Sequence, residues 1–189
     1  MNFHPGANHE IERYLEDNGF EIIEAKMTDV IQKTYFCQNN QIKMLKTKRD
    51  FNTRLWMKVA NIFFETAENI TDKQAKKAGS KLHERCPRIH EIAEEADPVI
   101  NRVFDTGEGI LIPGEIIHHA NIGCKNFVIL QPFGCLPNHV IGRGVMKKFK
   151  GLYPDIEVLP LDYDPDLSFA NVENRLQMLV MNQQINGEA

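Results

Sequence analysis

Asn126-Phe127-Val128-Ile129-Leu130-Gln131-Pro132-Phe133-Gly134-Cys135-Leu136-Pro137-Asn138-His139 is the stretch that decides the fold. Asn126 to Leu130 is a continuous apolar run, the mark of a strand covered on both faces in a parallel sheet. Gln131 to Cys135 leaves that strand, and Pro137 suits the first turn of a helix. Val140, Ile141, Val145, Phe149 and Leu152 then line one helical face. Ile156 to Leu161 reads as the next strand and Asp162 to Asp166 as a turn. Asp166 or Ser168 can cap a last helix with Phe169, Val172, Leu176 and Leu179 at core spacing. Phe127 to Leu179 is thus a strand–loop–helix–strand–helix unit. Strand alternating with helix implies a parallel sheet with right-handed crossovers, the α/β class.

Working outward, Ile11, Tyr14 and Leu15 share a face of a helix over Asn8 to Asn18, which Gly19 stops. Phe20 to Glu24 reads as a short strand. A helix so early hints that the chain begins inside a larger fold. The middle is helical. Thr28 can cap a helix running through Val30, Ile31, Tyr35 and Phe36. Trp56, Val59, Ala60, Phe63, Ala67 and Ile70 form a long apolar stripe of helical period. Ile89 to Ala96 is a further short helix. From Asp105 the texture changes: Thr106 to Gly109 is a loop, and Ile110 to Ala120 a helix with Pro113 and Gly114 in its first turn. The expected organisation is residues 1–104, an N-terminal α/β portion with long helices, then residues 105–189, the α/β unit carrying Cys135. The whole predicts a parallel sheet flanked by helices, with a helix-rich middle segment, as part of a larger fold.

A composition of 42% hydrophobic and 25% charged residues, with net charge −4, is that of an ordinary globular protein and gives no reason to expect nucleic acid or an anionic membrane as partner. No apolar run approaches the roughly 18 residues needed to span a bilayer. The first residues lack the basic and apolar pattern of a signal peptide. Cys37, Cys86, Cys124 and Cys135 form no Cys-x-x-Cys pair, and a chain of this size needs no disulfide staples, so a reducing cytoplasm is expected. Lys43, Lys46, Lys48 and Arg49, and later Lys73, Lys76, Lys77 and Lys81, suit either a phosphate-bearing ligand or a solvated helix face.

In parallel sheets, ligands bind outside the carboxyl ends of the strands. Gly134, Cys135, Asn138, Asp162 and Asp164 are therefore expected on one rim. Cys135 lies between a strand end and a helix start, where N–H groups and the helix dipole favour negative charge, the form in which sulfur ligates metal or attacks. Gly134 permits a positive φ or a close ligand. His139, one turn on, can act as a base toward Cys135. Gly142-Arg143-Gly144 implies close packing or a ligand, since glycine weakens a helix. It is not the dinucleotide fingerprint, because Lys147 stands where the third glycine belongs. His118 and His119 point about 100° apart and chelate poorly. His83, Cys86 and His90 have the spacing of a zinc half-site, with Pro87 interrupting and no fourth ligand.

Gln131 to His139, Gly142-Arg143-Gly144, Asp162-Tyr163-Asp164-Pro165 and Asn174-Arg175 together resemble the carboxyl-terminal region of CoA-substrate-specific enzyme activases. These proteins are related to the activator and dehydratase components of 2-hydroxyacyl-CoA dehydratases and benzoyl-CoA reductases. The likeness extends through Thr106-Gly107-Glu108-Gly109 and to Phe3-His4-Pro5, Leu15-Glu16 and Gly19-Phe20-Glu21. It implies ATP-driven electron transfer to 2-hydroxyacyl-CoA dehydration in anaerobic metabolism. In the dehydratase and reductase subunits this fold binds a [4Fe–4S] cluster through three cysteines, one of them after a buried strand. Cys135 matches that position as metal ligand, with Gly134, Asn138 and His139 around it and Asp164-Pro165 at the matching later turn. The implied partners are dehydratase subunits, an ATP-binding activase domain and an acyl-CoA. The chain departs from the pattern in two ways. Cys37, Cys86 and Cys124 sit in no matching motif, and neither a glycine-rich phosphate loop nor an acidic-Gly-Ser/Thr signature is present. One thiolate does not hold a cluster that takes three or four. The expectation is therefore a fragment or domain of an iron–sulfur system, without its own cluster and with little catalysis alone. The alternatives are a docking or CoA-binding module of the same fold, or a cysteine-nucleophile enzyme using Cys135 and His139.

Overall fold

The computed structural model describes residues 4–48, 50–80, 87–163 and 169–187, except for the side chains of residues 169 and 185–187. It is a mixed α/β chain with a parallel sheet and flanking helices. Two compact units are present, one joining Met1–Glu24 to Ile122–Ala189 and the other spanning Ala25–Asn121. The change of texture at Asp105 lies inside the second unit.

The first unit is built on β1 (Asn126–Pro132) and β2 (Glu157–Tyr163), paired in parallel from Asn126 opposite Glu157 to Pro132 opposite Tyr163. Among the described residues the sheet has these two strands. Phe20 to Glu24 is not a third: Phe20 and Ile22 pack on the core, but the segment pairs with no strand. With two strands, β1 buries Ile129 and Gln131 while Phe127, Val128 and Leu130 stay half-buried, so the apolar run is less covered than its composition predicts. α8 (Phe169–Gly187) buries Val172, Leu176 and Leu179 against Leu161 and Tyr163.

The N-terminal helix is interrupted. α1 (Pro5–Asn8) and α2 (Ile11–Asp17) are separated by His9 and Glu10, whose φ values are 58° and 56°. Buried Asn8 holds the break: its Oδ1 accepts from Glu10 N at 3.1 Å and its Nδ2 donates to Glu12 Oε1 at 3.0 Å. Ile11 and Leu15 enter the core, as their spacing predicts, and Gly19 ends the helix at φ 87°. The Tyr163 hydroxyl donates to Asn8 O at 2.9 Å, and burial pushes it up to about 12.

The second unit is helical: α3 (Met27–Met44), α4 (Phe51–Lys77), α5 (Ile89–Ala96) and α6 (Leu111–Asn121). Thr28 is not a cap. α3 starts at Met27 behind Lys26, and Thr28 sits within its first turn. Both long helices turn a face inward that apolar periodicity does not mark. α3 buries Asp29, Gln32, Lys33 and Cys37 and leaves Val30 and Ile31 exposed. α4 buries Met57, with Asn61, Phe64 and Glu68 half-buried on the same seam, and leaves Trp56, Val59, Phe63 and Ile70 in solvent. Cys37, Ala93, Ala96 and Ile110 form the small core. α5 and α6 pack at Gly114, where a Cβ would lie 2.2 Å from the Ile92 carbonyl oxygen.

Charged groups tie this unit together. Lys26 Nζ lies 3.3 Å from Asp29 Oδ1 and 3.1 Å from Glu68 Oε1, and donates to Pro87 O at 2.8 Å. Burial raises the Asp29 carboxyl to about 6 despite Lys26. Burial, with the Asp29 charge adding to it, raises Glu115 to about 8. Lys33, almost wholly buried, pairs with the Asp105 carboxylate at 3.0 Å and donates to the carbonyls of Asp105 and Gly107, which fixes the Thr106 to Gly109 loop.

Candidate functional site

The parallel register sets Pro132 beside Tyr163, so the segments leaving both strands start from one edge. Phe133 N donates to Tyr163 O at 3.0 Å, extending the ladder one step. The chain then reverses through Gly134 at φ 70°, closed by Cys135 N donating to Pro132 O at 3.1 Å. A Cβ on Gly134 would meet nothing within 4 Å, so backbone conformation, not crowding, requires the glycine. The helix that follows is not a uniform α-helix. Asn138–Arg143 is a π-helical turn, and α7 (Met146–Leu152) comes after it. Such turns are recurrent at functional sites. Ile141 and Phe149 reach the core, whereas Val140 and Leu152 stand exposed.

Gln131 organises the rim. It is wholly buried, its Nε2 donating to Asn138 O at 2.7 Å and its Oε1 accepting from Arg143 Nε at 2.8 Å. Arg143 also donates to Asp162, which stands opposite Gln131 in the ladder. Asp162 Oδ1 lies 3.5 Å from His139 Nε2. Gly142 is buried beside Gln131 and Ile129, and a Cβ there would stand 3.4 Å from Gln131 Nε2 and Ile129 Cγ2, in ordinary contact, while Gly144 faces open space.

Around the thiol, Asn138 Nδ2 donates to Cys135 Sγ at 3.0 Å. His139 does not act on the sulfur. Its Nδ1 donates to the Cys135 carbonyl at 2.9 Å and its Nε2 faces Asp162. The contact on the sulfur is thus the Asn138 amide rather than the His139 ring expected of a nucleophile–base pair. The structure thus brings Gly134, Cys135, Asn138, His139 and Asp162 to one rim. Asp164 lies outside the described residues, as do His83 and Cys86. His118 Nδ1 lies 3.7 Å from Glu95 Oε1, while His119 Nδ1 bonds the Glu115 carbonyl at 2.8 Å, so the two imidazoles serve separate local contacts. Sequence reading missed how Gln131 and Arg143 brace the rim. The signal was a lone carboxamide ending an apolar strand and an arginine between two glycines.

A [4Fe–4S] cluster does not fit the described residues. Cys135 is the one thiol at this rim among them. Cys124 precedes β1 at its other end, roughly 20 Å away along a seven-residue strand, and Cys37 is buried in the helical unit. One thiolate leaves most of the coordination of such a cluster unmet. No described helix is long and apolar enough to cross a membrane. Comparison of the chain with protein-family models, curated proteins and solved structures finds no match.

Proposed function

We propose that this chain is a non-catalytic docking domain of the activator–dehydratase type that it resembles, working in the cytoplasm alongside ATP-driven electron transfer to 2-hydroxyacyl-CoA dehydration. Its rim covers, and is covered by, a dehydratase subunit or an ATP-binding activase domain, with Cys135 at the centre of the contact. One observation carries the reading. On the loop and π-helical turn that carry the thiol, Phe133 is 72%, Leu136 61% and Val140 56% exposed. Large apolar side chains clustered in solvent mark a surface that a partner protects. The polar groups beneath are engaged with one another, so the rim presents shape and apolar area more than reactive groups.

A second reading makes Cys135 one ligand of an iron–sulfur centre whose remaining thiolates come from elsewhere in the machinery. The Asn138 amide on its sulfur favours this, since such a donor sets the properties of a ligating thiolate.

The experiment runs without oxygen. The chain is mixed with a reconstituted 2-hydroxyacyl-CoA dehydratase and its activator and passed over a sizing column, as wild type and as Phe133→Ser/Leu136→Ser. Co-elution lost in the double variant supports docking, and no co-elution of wild type overturns it. Iron and sulfide are supplied in parallel to wild type and Cys135→Ala. A visible cluster band that needs Cys135 replaces the docking reading with the second one.

A further inference from the structure

α4 turns Met57, Asn61, Phe64 and Glu68 toward the rest of its unit. Its more apolar face points the other way. Trp56, Val59, Phe63 and Ile70 recur at steps of three, four and seven, the a and d positions of a heptad, and all four are exposed. Leu55 and Ile62 widen this stripe on one side, and Ala60 and Ala67 flank it on the other. At about 100° per residue the stripe lies nearly opposite the packed face. From Leu55 to Ile70 it carries no charged residue. Its one hydroxyl, Thr66 Oγ1, is satisfied within the helix, donating to Ile62 O at 2.6 Å. The six large apolar side chains together expose roughly 600–800 Å², at or above the largest apolar patch of a typical monomer.

We propose that this face of α4 pairs with the same face of a second copy of the chain, antiparallel across a two-fold axis. The stripe is symmetric about Phe63. Trp56 and Ile70 stand seven residues to either side of it, so an axis at Phe63 sets each Trp56 against the other copy's Ile70 and brings the two Phe63 rings together. Ala60 and Ala67 let the two helices approach closely. Area agrees, because a stable interface of standard size takes about 800 Å² from each partner. Charge selects the direction. Lys73 and Lys77 continue the heptad steps beyond Ile70. A parallel pair would set each lysine beside its own copy, whereas the antiparallel pair carries them to opposite ends of the seam. The inference concerns the helical unit and does not use the Cys135 rim.

Analytical ultracentrifugation of the full chain, together with the fluorescence of Trp56, its one tryptophan, tests this. The wild type is expected to sediment as a dimer at about 50 µM, well within reach of an interface of this size. Phe63→Glu sets two carboxylates together at the axis and is expected to sediment as a monomer. Its Trp56 emission should lie at longer wavelength than the wild type's, because the ring returns to water. Phe63→Lys should behave alike, and mixing the two variants should restore the dimer, since opposite charges then meet at the axis. Phe63 is 66% exposed, so both variants are expected to keep the wild-type circular dichroism spectrum. A monomeric wild type at about 50 µM overturns the proposal. A dimer that Phe63→Glu leaves intact does so too, as does a mixture of the two variants that stays monomeric. A monomeric wild type whose Trp56 emission shifts only on adding phosphatidylglycerol vesicles would give the face to a membrane instead.

Discussion

The carboxamide of Asn138 donates a hydrogen bond to the sulfur of Cys135 at 3.0 Å. The two residues are one helical turn apart, and the π-helical turn that begins at Asn138 places that amide over the thiol. Asn138→Ala removes the donor without touching the core. Because that bond ties the loop to the π-helical turn, the urea unfolding free energy should fall by about 0.5–1 kcal/mol. An unchanged unfolding curve would show that the contact does not hold the loop.

Gln131 is buried between Asn138 O and Arg143 Nε. Arg143→Ala leaves its Oε1 without a donor, and the urea unfolding free energy should fall by about 1–2 kcal/mol, chiefly from that orphaned oxygen rather than from the solvent-screened pair with Asp162. Arg143→Lys should fail to restore it, because an ammonium cannot bridge Gln131 and Asp162 as a planar guanidinium does.

Asp29 and Glu115 are raised from 3.8 to about 6 and from 4.5 to about 8. Burial is the largest cause for both. The folded chain holds these protons while the unfolded chain releases them, so the contribution to stability is full below the unfolded values and is lost as pH rises through the folded ones. Urea unfolding should therefore show stability declining from about pH 4 to about pH 8. Glu115→Gln should flatten the upper half of that decline, a difference on the order of 1–3 kcal/mol at about pH 8. An unchanged profile would remove Glu115 as its source.

Cys37 is wholly buried, its thiol lying 3.5 Å from Phe104 O, and burial pushes it up to about 12. In the native chain it should resist alkylation at neutral pH while half-exposed Cys135 reacts, and it should become labelled only in denaturant. Differential labelling with light and heavy iodoacetamide distinguishes the two.

Gly114 and Gly144 are both helical, with opposite surroundings. Gly114→Ala drives a methyl into the Ile92 carbonyl and should cost about 3 kcal/mol or more, or prevent folding. Gly144→Ala meets nothing within 4 Å at φ −63° and should add up to about 1 kcal/mol. Thermal melts of the two variants should move in opposite directions.

Much of this chain was legible in the order of its residues. The strands at Asn126 and Glu157, the short helix Ile89–Ala96, the core face of α8 and the rim address of Cys135 follow from local pattern and from the rule that a parallel pair ends on one side. The existence of α3 and α4 was legible as well, because helical hydrogen bonds are made within the segment. Which face each helix turns inward was not. Phe63 is exposed and Gln32 buried because facing depends on the neighbours that the fold brings up, not on a residue's own polarity. For the same reason Phe20 to Glu24 lost its strand, since a ladder needs a partner that no local pattern guarantees. At the rim, sequence supplied a thiol, a histidine and two glycines. Tertiary structure turned His139 away from the sulfur and put Asn138 on it, because a π turn and one buried carboxamide, Gln131, fix directions that spacing along the chain leaves open.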